Sequence, residues 1–492
     1  DWQILPQRQT LNNKIFAYIT HYSCNCAFFF VPLHRLMQIN ELAEVLALHP
    51  EVDILAKELN KKRNQHFLLS DLRASAQAII LSALHQKLAN KNAAQPMIIV
   101  LDDNDAAQYM YADIKTLMGE KDVYIFPCSH RRRQKTDEAL TVQRTEVLSA
   151  LLNAMHSLED ASLQDGSKTA YSLKARPIIV TYPEALAESV PQPQALQGKT
   201  ITLSVGEEIA ISQLTEMLLE LDFKRVDFVY EPGQFAVRGG IVDVYSYACD
   251  IPMRIDFFGD EIDSIREFEL ETQLSQNKVD TINIVASSSD EQTMTDLTAY
   301  LPPKTLWISN DFGLASYKIK SAITEFDASI LTQAMEDAST IELNQKSTYP
   351  THHLVAFDTL PQPTFNKNFD LLIDDLQQRT KDGYRIYILA DQVKQTDRLK
   401  AIFDDKESGI EFVAVDHALH EGFIDHGAKI CCYTDHQIFE RYHRVTLRSE
   451  NARRGKAIIT LKEINQLQVG DYVVHVDHGI GQFAGLVTTN FH

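Results

Sequence analysis

The sequence predicts a multi-domain α/β protein, and three observations carry that prediction. Its 492 residues suffice for roughly three to four domains. Hydrophobic residues make up 45% and charged residues 23%, an ordinary globular composition that allows several cores to form. Short apolar runs alternate with amphipathic stretches over most of residues 37–192, as expected for parallel strands covered by helices on both faces.

This alternation predicts the first domain element by element. An amphipathic pattern starts at Met37 and is broken at His49-Pro50, which predicts two short helices. We expect residues 1–36, which lack any period, to be a non-native or disordered extension. Beyond these helices the pattern predicts strands at 67–69, 97–101, 123–126 and 177–181, and helices at 74–88, 105–118 and 137–156.

The later part of the chain divides into segments that differ in their pattern of predicted strands and helices. A strand at 201–203, a helix at 212–221 and short antiparallel strands predict an α+β domain at 193–273. Turns are expected at Glu231-Pro232-Gly233 and at residues 258–261. The remaining segments are a less regular stretch at 274–365, a second small α/β domain at 366–447, a polar linker at 448–465 and an unfinished β-rich module at 466–492.

Charge and cysteine usage exclude some classes of function. The net charge of −20 makes the chain a poor non-specific binder of DNA, because phosphate binding depends on Lys and Arg. Six scattered cysteines without a C-x-x-C pair are typical of free thiols in a reducing cytosol. No apolar run reaches the roughly 18 residues needed to cross a membrane.

A nucleotide site is expected to be absent from the first domain. A phosphate-binding loop needs glycines, a lysine and Ser/Thr after the first strand. This chain instead has a degenerate loop with Ser70, Asp71, Arg73 and Ser75, and an aspartate stands where an anion would bind. Asp102 and Asp103, which follow the next strand, are interpreted as helix-capping residues rather than magnesium ligands.

Metal and catalytic sites are likewise not predicted. His417, His420 and Glu421 are closely spaced, as are His475 and His478, but neither set has a matching third-ligand motif. We find no nucleophile and base in a catalytic pattern, so the expectation is no catalytic residue and no metal.

The most informative segment is 226–272. Alternation places Met253, Ile255 and Phe257 on one face of a strand, as core. The other face carries Arg254, Asp256 and Phe258, and an aromatic beside charges is typical of protein interfaces. The glycines of Arg238-Gly239-Gly240 are expected to form a bulge that brings Arg238 to the same edge. From the pattern alone, an interface and a hairpin with one incidentally exposed Phe remain equally open.

Two motifs here, EPGQFAVRGGIVDVYSY and PMRIDFFGDEIDSIREFELETQ, resemble the UvrA-binding domain shared by UvrB and the transcription-repair coupling factor (Mfd) family. Upstream, VYIFPCS, TVQRTEVLSALL and RPIIVTYPEALAE resemble the UvrB-like module of that family. UvrB keeps an intact phosphate loop, whereas SDLRASAQ in this chain is degenerate. GDYVVHVDHGIGQFAGL resembles the start of the CarD-like, RNA-polymerase-interacting domain, so the chain is more similar to the coupling factors than to UvrB.

The resemblance implies a multi-domain scaffold. It implies a degenerate RecA/UvrB-like α/β domain with residues 274–365 as its return segment, and a truncated Tudor/SH3-like module at the end. Arg238, Arg254 and Phe258 match the family's UvrA contacts. The implied partners are UvrA, the β subunit of RNA polymerase, and double-stranded DNA through a C-terminal translocase that uses ATP and magnesium and is absent here. The implied location is the bacterial cytoplasm.

Two other functions are kept beside this one. The chain could be a UvrB-like excision-repair ATPase or helicase subunit, which the degenerate phosphate loop argues against. A CarD-like transcription regulator with an unrelated front half is the third interpretation, and the length of the UvrA-binding motif argues against it.

Overall fold

A computed structural model describes most of the chain between Leu36 and Gln482. The described residues are 36–59, 64–90, 95–119, 122–129, 138–163, 176–249, 251–286, 294–322, 327–441, 472–475 and 479–482.

The helices follow one another in this order: α1 (Ile39–Ala47), α2 (Pro50–Leu59), α3 (Ala76–Asn90), α4 (Asn104–Met118), α5 (Glu138–Leu163), α6 (Pro183–Leu186), α7 (Pro193–Gln197), α8 (Ile211–Glu220), α9 (Phe312–Ser321), α10 (Ala328–Glu336), α11 (Phe369–Lys381), α12 (Val393–Asp405) and α13 (Asp435–Ile438). A 3-10 turn spans Leu297–Tyr300. The described helices include none long and apolar enough to traverse a bilayer.

The strands, in chain order, are β1 (His66–Ser70), β2 (Met97–Val100), β3 (Val123–Phe126), β4 (Ile178–Thr181), β5 (Val190–Pro191), β6 (Thr200–Ser204), β7 (Lys224–Arg225), β8 (Gln234–Arg238), β9 (Ile241–Tyr245), β10 (Met253–Phe258), β11 (Glu261–Phe268), β12 (Ser275–Val279), β13 (Thr281–Val285), β14 (Met294–Thr295), β15 (Leu306–Ser309), β16 (Ser339–Glu342), β17 (His353–Ala356), β18 (Thr359–Pro361), β19 (Arg385–Leu389), β20 (Val413–Val415), β21 (Phe423–Asp425), β22 (Ile430–Thr434), β23 (Tyr472–His475) and β24 (Gly479–Gln482).

The first unit is a seven-stranded, wholly parallel sheet in the order β17-β1-β16-β15-β2-β4-β3. Strands β1, β2 and β4 are buried at every position, as expected where helices cover both faces of a sheet. The parallel α/β prediction for this part of the chain is confirmed. Three of its strands come from the stretch 274–365. The sequence pattern predicted only a less regular stretch there, and the family resemblance implied that it returns to the first domain.

Helix starts in this unit follow capping rules. Asp103 precedes α4 and its carboxylate accepts a hydrogen bond from the Ala106 amide at 2.9 Å, while Asp311 does the same for the Leu314 amide at the start of α9. The interpretation of Asp103 as a capping residue is therefore confirmed.

The second unit is inserted into the first. Strands β6 and β13 pair antiparallel at its base, so the chain enters and leaves at adjacent points. Between them lies a six-stranded sheet in the order β12-β11-β10-β9-β8-β7, antiparallel except for the short parallel pair β7–β8. The structure continues this unit past residue 273, the predicted end of the α+β domain, because β12 forms the sheet edge and β13 completes the base.

The third unit is a five-stranded mixed sheet in the order β18-β21-β22-β19-β20. It starts with β18, slightly before the predicted boundary at 366. Met37 forms a parallel bridge with Val415 at the β20 edge, so the beginning of the described chain also touches this sheet. Buried side chains of the first and third units, among them Leu389, Leu419 and Phe423, belong to one continuous apolar cluster. The two α/β units therefore share a core.

The last described elements, β23 and β24, form an antiparallel pair within the predicted β-rich module. The rest of that module, the predicted linker 448–465 and, apart from Leu36, the predicted extension 1–36 lie outside the described residues.

Candidate functional site

The six-stranded sheet has one apolar and one polar face. On the apolar face Met253, Ile255 and Phe257 pack in the same cluster as Leu214 and Leu218 of α8, which confirms the predicted alternation in β10. On the polar face, register pairs Asp243 of β9 with Arg254 of β10. The sheet thus buries one side under α8, and its other side carries these charged side chains next to a small buried apolar cluster that includes Ala236, Tyr245 and Phe268.

The two hairpin turns that end this face bring the predicted residues to one end of the sheet. Arg238 pairs with Ile241 across Gly239-Gly240, and Gly239 has φ +60°. The expected bulge at these glycines is therefore wrong: they form a two-residue hairpin turn. The register shift lies instead beside Asp256 and Phe257. Gly240 accepts the Phe257 amide at 2.8 Å, and a Cβ on Gly240 would lie 3.2 Å from the Phe257 carbonyl oxygen.

Asp243 is the centre of the polar face. Its side chain is only 1% exposed. The carboxylate accepts Arg254 Nε at 2.7 Å on Oδ1 and Arg254 Nη2 at 2.9 Å on Oδ2, and the same Oδ2 accepts Arg238 Nη2. Two guanidinium groups thus share one buried carboxylate, which leaves one net positive charge. The hydrogen bond to Asp243 raises the pKa of Arg254 above its usual value.

The three predicted contact residues differ in accessibility. Phe258 is 83% exposed at the end of β10. The Arg238 side chain is 35% exposed. The Arg254 side chain is 14% exposed, its Nη1 donates to the Gln273 carbonyl at 3.1 Å, and its guanidinium lies 4.8 Å from the centre of the Phe268 ring. Phe258 and Arg238 can meet a partner directly, whereas most of Arg254 is engaged within the domain.

Two residues of this face were not predicted from the sequence as part of the site. Asp243 alternates in β9 with Val242 and Val244, which belong to the core, so period two could have placed it on the polar face that carries Arg254. Phe228 is 46% exposed and lies under the Arg238 guanidinium, 4.9 Å from its carbon to the ring centre. No local pattern marks Phe228, because it lies in an irregular loop.

The degenerate phosphate loop between β1 and α3 is tied to the rest of the protein. Thr359 donates its hydroxyl to the Asp71 carbonyl at 2.8 Å and accepts the Arg73 amide at 2.7 Å. Asp71 and Ala74 have φ values of +55° and +53°, and Arg73 lies 3.9 Å from the Asp71 carboxylate, with both side chains half exposed. A phosphate at this position would have to displace these contacts.

Ser70 and Ser75 of the same loop are buried. Ser75 donates its hydroxyl to the Asp113 carboxylate of α4 at 2.5 Å and accepts the Glu421 amide at 2.9 Å. Asp113 also accepts the His420 amide at 2.7 Å. These hydrogen bonds form a junction that joins the loop after β1 to the loop before β21.

This junction predicts a pH-dependent stability. Burial raises the pKa of Asp113 to about 7 from 3.8. The folded state then binds more protons than the unfolded state between these values, so the contribution of Asp113 to stability is complete below about pH 4 and is lost as the pH rises through about 7. Relative to Asp113→Asn, the wild-type chain should lose up to about 1.4 kcal/mol of stability per pH unit in that window.

The measurement is urea unfolding at several pH values, followed by fluorescence of Trp307, which is buried in β15. A Trp2→Phe background removes the other tryptophan of the chain. Parallel pH profiles for the wild type and Asp113→Asn would contradict the prediction.

His420 and His436 are engaged in packing, whereas His417 is exposed. His420 stacks on Tyr109 with ring centres 3.5 Å apart, and the His436 ring bonds the His420 carbonyl at 2.9 Å. His417 lies 3.0 Å from Asp416. Within the described part of the chain, no three His, Cys, Asp or Glu side chains are grouped so as to hold a metal ion. The side chains of His475 and His478 lie outside the described residues.

Comparison with known proteins finds family models that match two parts of the chain. Residues 201–289 match the UvrB interaction domain, which agrees with the extent of the inserted unit. Residues 467–492 match the CarD-like/TRCF RID domain.

Whole-chain comparison finds similar proteins in bacteria. The chain is 22% identical over 523 residues to a transcription-repair-coupling factor of Bacillus subtilis (strain 168), which covers 86% of this chain and 42% of that protein. It is 21% identical over 530 residues to a transcription-repair-coupling factor of Staphylococcus aureus (strain USA300), covering 88% and 43% respectively. The chain therefore spans less than half the length of these curated relatives, and its resemblance to the coupling factors is confirmed along most of its own length.

Proposed function

We propose that this chain, a homologue of the transcription-repair-coupling factors, is a docking scaffold that recruits UvrA to RNA polymerase stalled at DNA damage. The observation that carries the proposal is the end of the inserted UvrB interaction domain, where Phe258 is 83% exposed on the face of the sheet that also carries Arg238, Asp243 and Arg254. Exposed aromatic and arginine side chains held on a rigid sheet are the usual anchors of protein interfaces.

The remaining parts are assigned roles that fit this scaffold. We propose that the seven-stranded unit is a degenerate RecA/UvrB-like domain, built from residues 37–192 and 274–365. We propose that residues 466–492 begin a Tudor/SH3-like module that contacts the β subunit of RNA polymerase. Displacement of polymerase along double-stranded DNA, with ATP and magnesium, is assigned to a translocase outside this chain. The proposed location is the bacterial cytoplasm.

A binding titration tests the docking role. Purified UvrA should bind the fluorescently labelled wild-type chain, and Arg238→Ala combined with Phe258→Ala should abolish saturable binding. The circular dichroism spectrum should not change, because Phe258 is exposed and Asp243 keeps its two hydrogen bonds from Arg254 when Arg238 is removed. Binding by the double variant that equals the wild type would contradict the site, and no binding by the wild type would contradict the function.

The absence of nucleotide chemistry in this chain is a second proposal. The loop at Ser70–Ser75 has no glycine or lysine, and its serine and amide groups are bonded to Thr359, Asp113 and Glu421. Equilibrium dialysis of the isolated chain with ATP and magnesium should therefore detect no binding at micromolar concentrations. A micromolar dissociation constant would favour a UvrB-like ATPase instead.

A further inference from the structure

We infer that the docking surface extends to Phe228, and that Asp243 is the buried residue that positions Arg238 over the Phe228 ring. The partner surface that fits it presents a carboxylate to Arg238 and apolar groups to Phe228 and Phe258. This inference rests on the proposed docking function and names further residues of the same site.

The Arg238 side chain is held in place by its neighbours. Its guanidinium is held on one side by the Asp243 carboxylate and donates Nη1 to the Asp227 carbonyl at 3.4 Å. The guanidinium lies over Phe228, with 4.9 Å between its carbon and the ring centre. An arginine fixed by a carboxylate and an aromatic ring loses little side-chain freedom when a partner binds, so the arrangement is preorganised.

The positive charge of the cluster formed by Arg238, Asp243 and Arg254 is unevenly distributed. Asp243 neutralises one of its two arginines, and Arg254 is the one held by two hydrogen bonds to that carboxylate with its side chain only 14% exposed. The net positive charge of the cluster is therefore presented by Arg238, which is more exposed. A partner carboxylate that pairs with Arg238 must approach beside the Phe228 ring, and it would bury that ring as it binds.

Arg238 and Phe228 lie at the same end of the sheet as Phe258. Arg238 ends β8 at the Gly239-Gly240 turn, and Gly240 bonds the amide of Phe257, the residue before Phe258. Phe228, Arg238 and Phe258 therefore lie around one end of the sheet. Aromatic and arginine side chains clustered in this way form the centre of many interfaces.

The test is a set of UvrA titrations with single variants. Phe228→Ala should weaken binding by roughly tenfold or more, and Phe228→Tyr should restore it because the ring is kept. Leu219→Ala is the matched control: Leu219 is 51% exposed, similar to Phe228, but lies on α8 over the opposite face of the sheet, and its removal should leave binding unchanged. Wild-type affinity in Phe228→Ala would overturn the extended surface.

A double-mutant cycle tests the positioning role of Asp243. Asp243→Asn should weaken UvrA binding clearly less in the Arg238→Ala background than in the wild-type background, because the part of its effect that acts through Arg238 is already lost there and only the part that acts through Arg254 remains. A general loss of folding would weaken binding equally in both backgrounds and would overturn this role. If Asp243→Asn does not fold, Arg238→Lys replaces it: lysine keeps the charge without the planar group, so the Phe228→Ala effect should shrink in that background.

The outcomes separate this inference from the proposed function. If the wild-type chain does not bind UvrA, both fail. If it binds and the Arg238→Ala, Phe258→Ala double variant does not, while Phe228→Ala and Asp243→Asn both bind normally, the docking function stands and this inference alone is wrong.

Discussion

Replacing Phe258 by alanine is expected to weaken binding to UvrA by roughly 2–4 kcal/mol, about 30- to 1,000-fold in Kd. The ring is 83% exposed at the end of β10, so its truncation removes no core contact of the domain. A side chain exposed to this degree has few contacts within the folded chain to lose. The full loss should therefore appear in affinity and not in folding.

The measurement is a UvrA titration with the labelled chain, accompanied by a thermal unfolding curve of each variant. Tyr317→Ala is the matched control, because Tyr317 is an aromatic side chain exposed to 70% on α9 of the first unit. Equal losses in the two variants would mean that the effect is unspecific. Unchanged affinity in Phe258→Ala would remove the residue from the site.

Alternation along single strands made the polar face predictable. Apolar residues at Met253, Ile255 and Phe257 alternate with Arg254, Asp256 and Phe258, and period two assigns each set to a face without knowledge of the neighbours. The network on that face was not predictable in the same way. Arg254 meets Asp243 and the Gln273 carbonyl, 11 and 19 residues away, through the pairing register of different strands.

A domain boundary is hard to predict where the side chains carry no period. The predicted end at residue 273 precedes β12, whose central residues Gln276, Asn277 and Lys278 are all polar and exposed. An edge strand of this kind is held by backbone pairing with β11, so hydrophobicity gives no signal for it.

The loop between β1 and α3 shows that sequence patterns do not predict contacts between residues far apart in the chain. Missing glycine and lysine are visible in the sequence, and they predicted that no nucleotide site forms. The hydrogen bond between Ser75 and the Glu421 amide joins residues 346 positions apart. Such a contact depends on how the first and third units pack, which local patterns do not encode.

Arg254→Ala is expected to act mainly on stability, in contrast to Phe258→Ala. It removes two hydrogen bonds from a carboxylate that is 1% exposed, and it frees the Gln273 carbonyl as well. Breaking a buried pair from one side leaves a poorly compensated charge. The expected loss is about 3 kcal/mol, at the lower end of that class, because Arg238 still faces Asp243.

Arg266→Ala is the matched control for this change. Arg266 lies directly opposite Arg254 on β11, but its side chain is 34% exposed and its partner Asp256 is 22% exposed, so its loss should cost less than about 1 kcal/mol. Hydrogen exchange of peptides from β8 to β11, read by mass spectrometry on the whole chain, reports opening of this sheet alone. Exchange should accelerate roughly a hundredfold in Arg254→Ala and only slightly in Arg266→Ala. Equal exchange in the two variants would contradict the role of Arg254 in stabilising the buried carboxylate. A loss of UvrA binding in Arg254→Ala without faster exchange would instead indicate that Arg254 contacts UvrA directly.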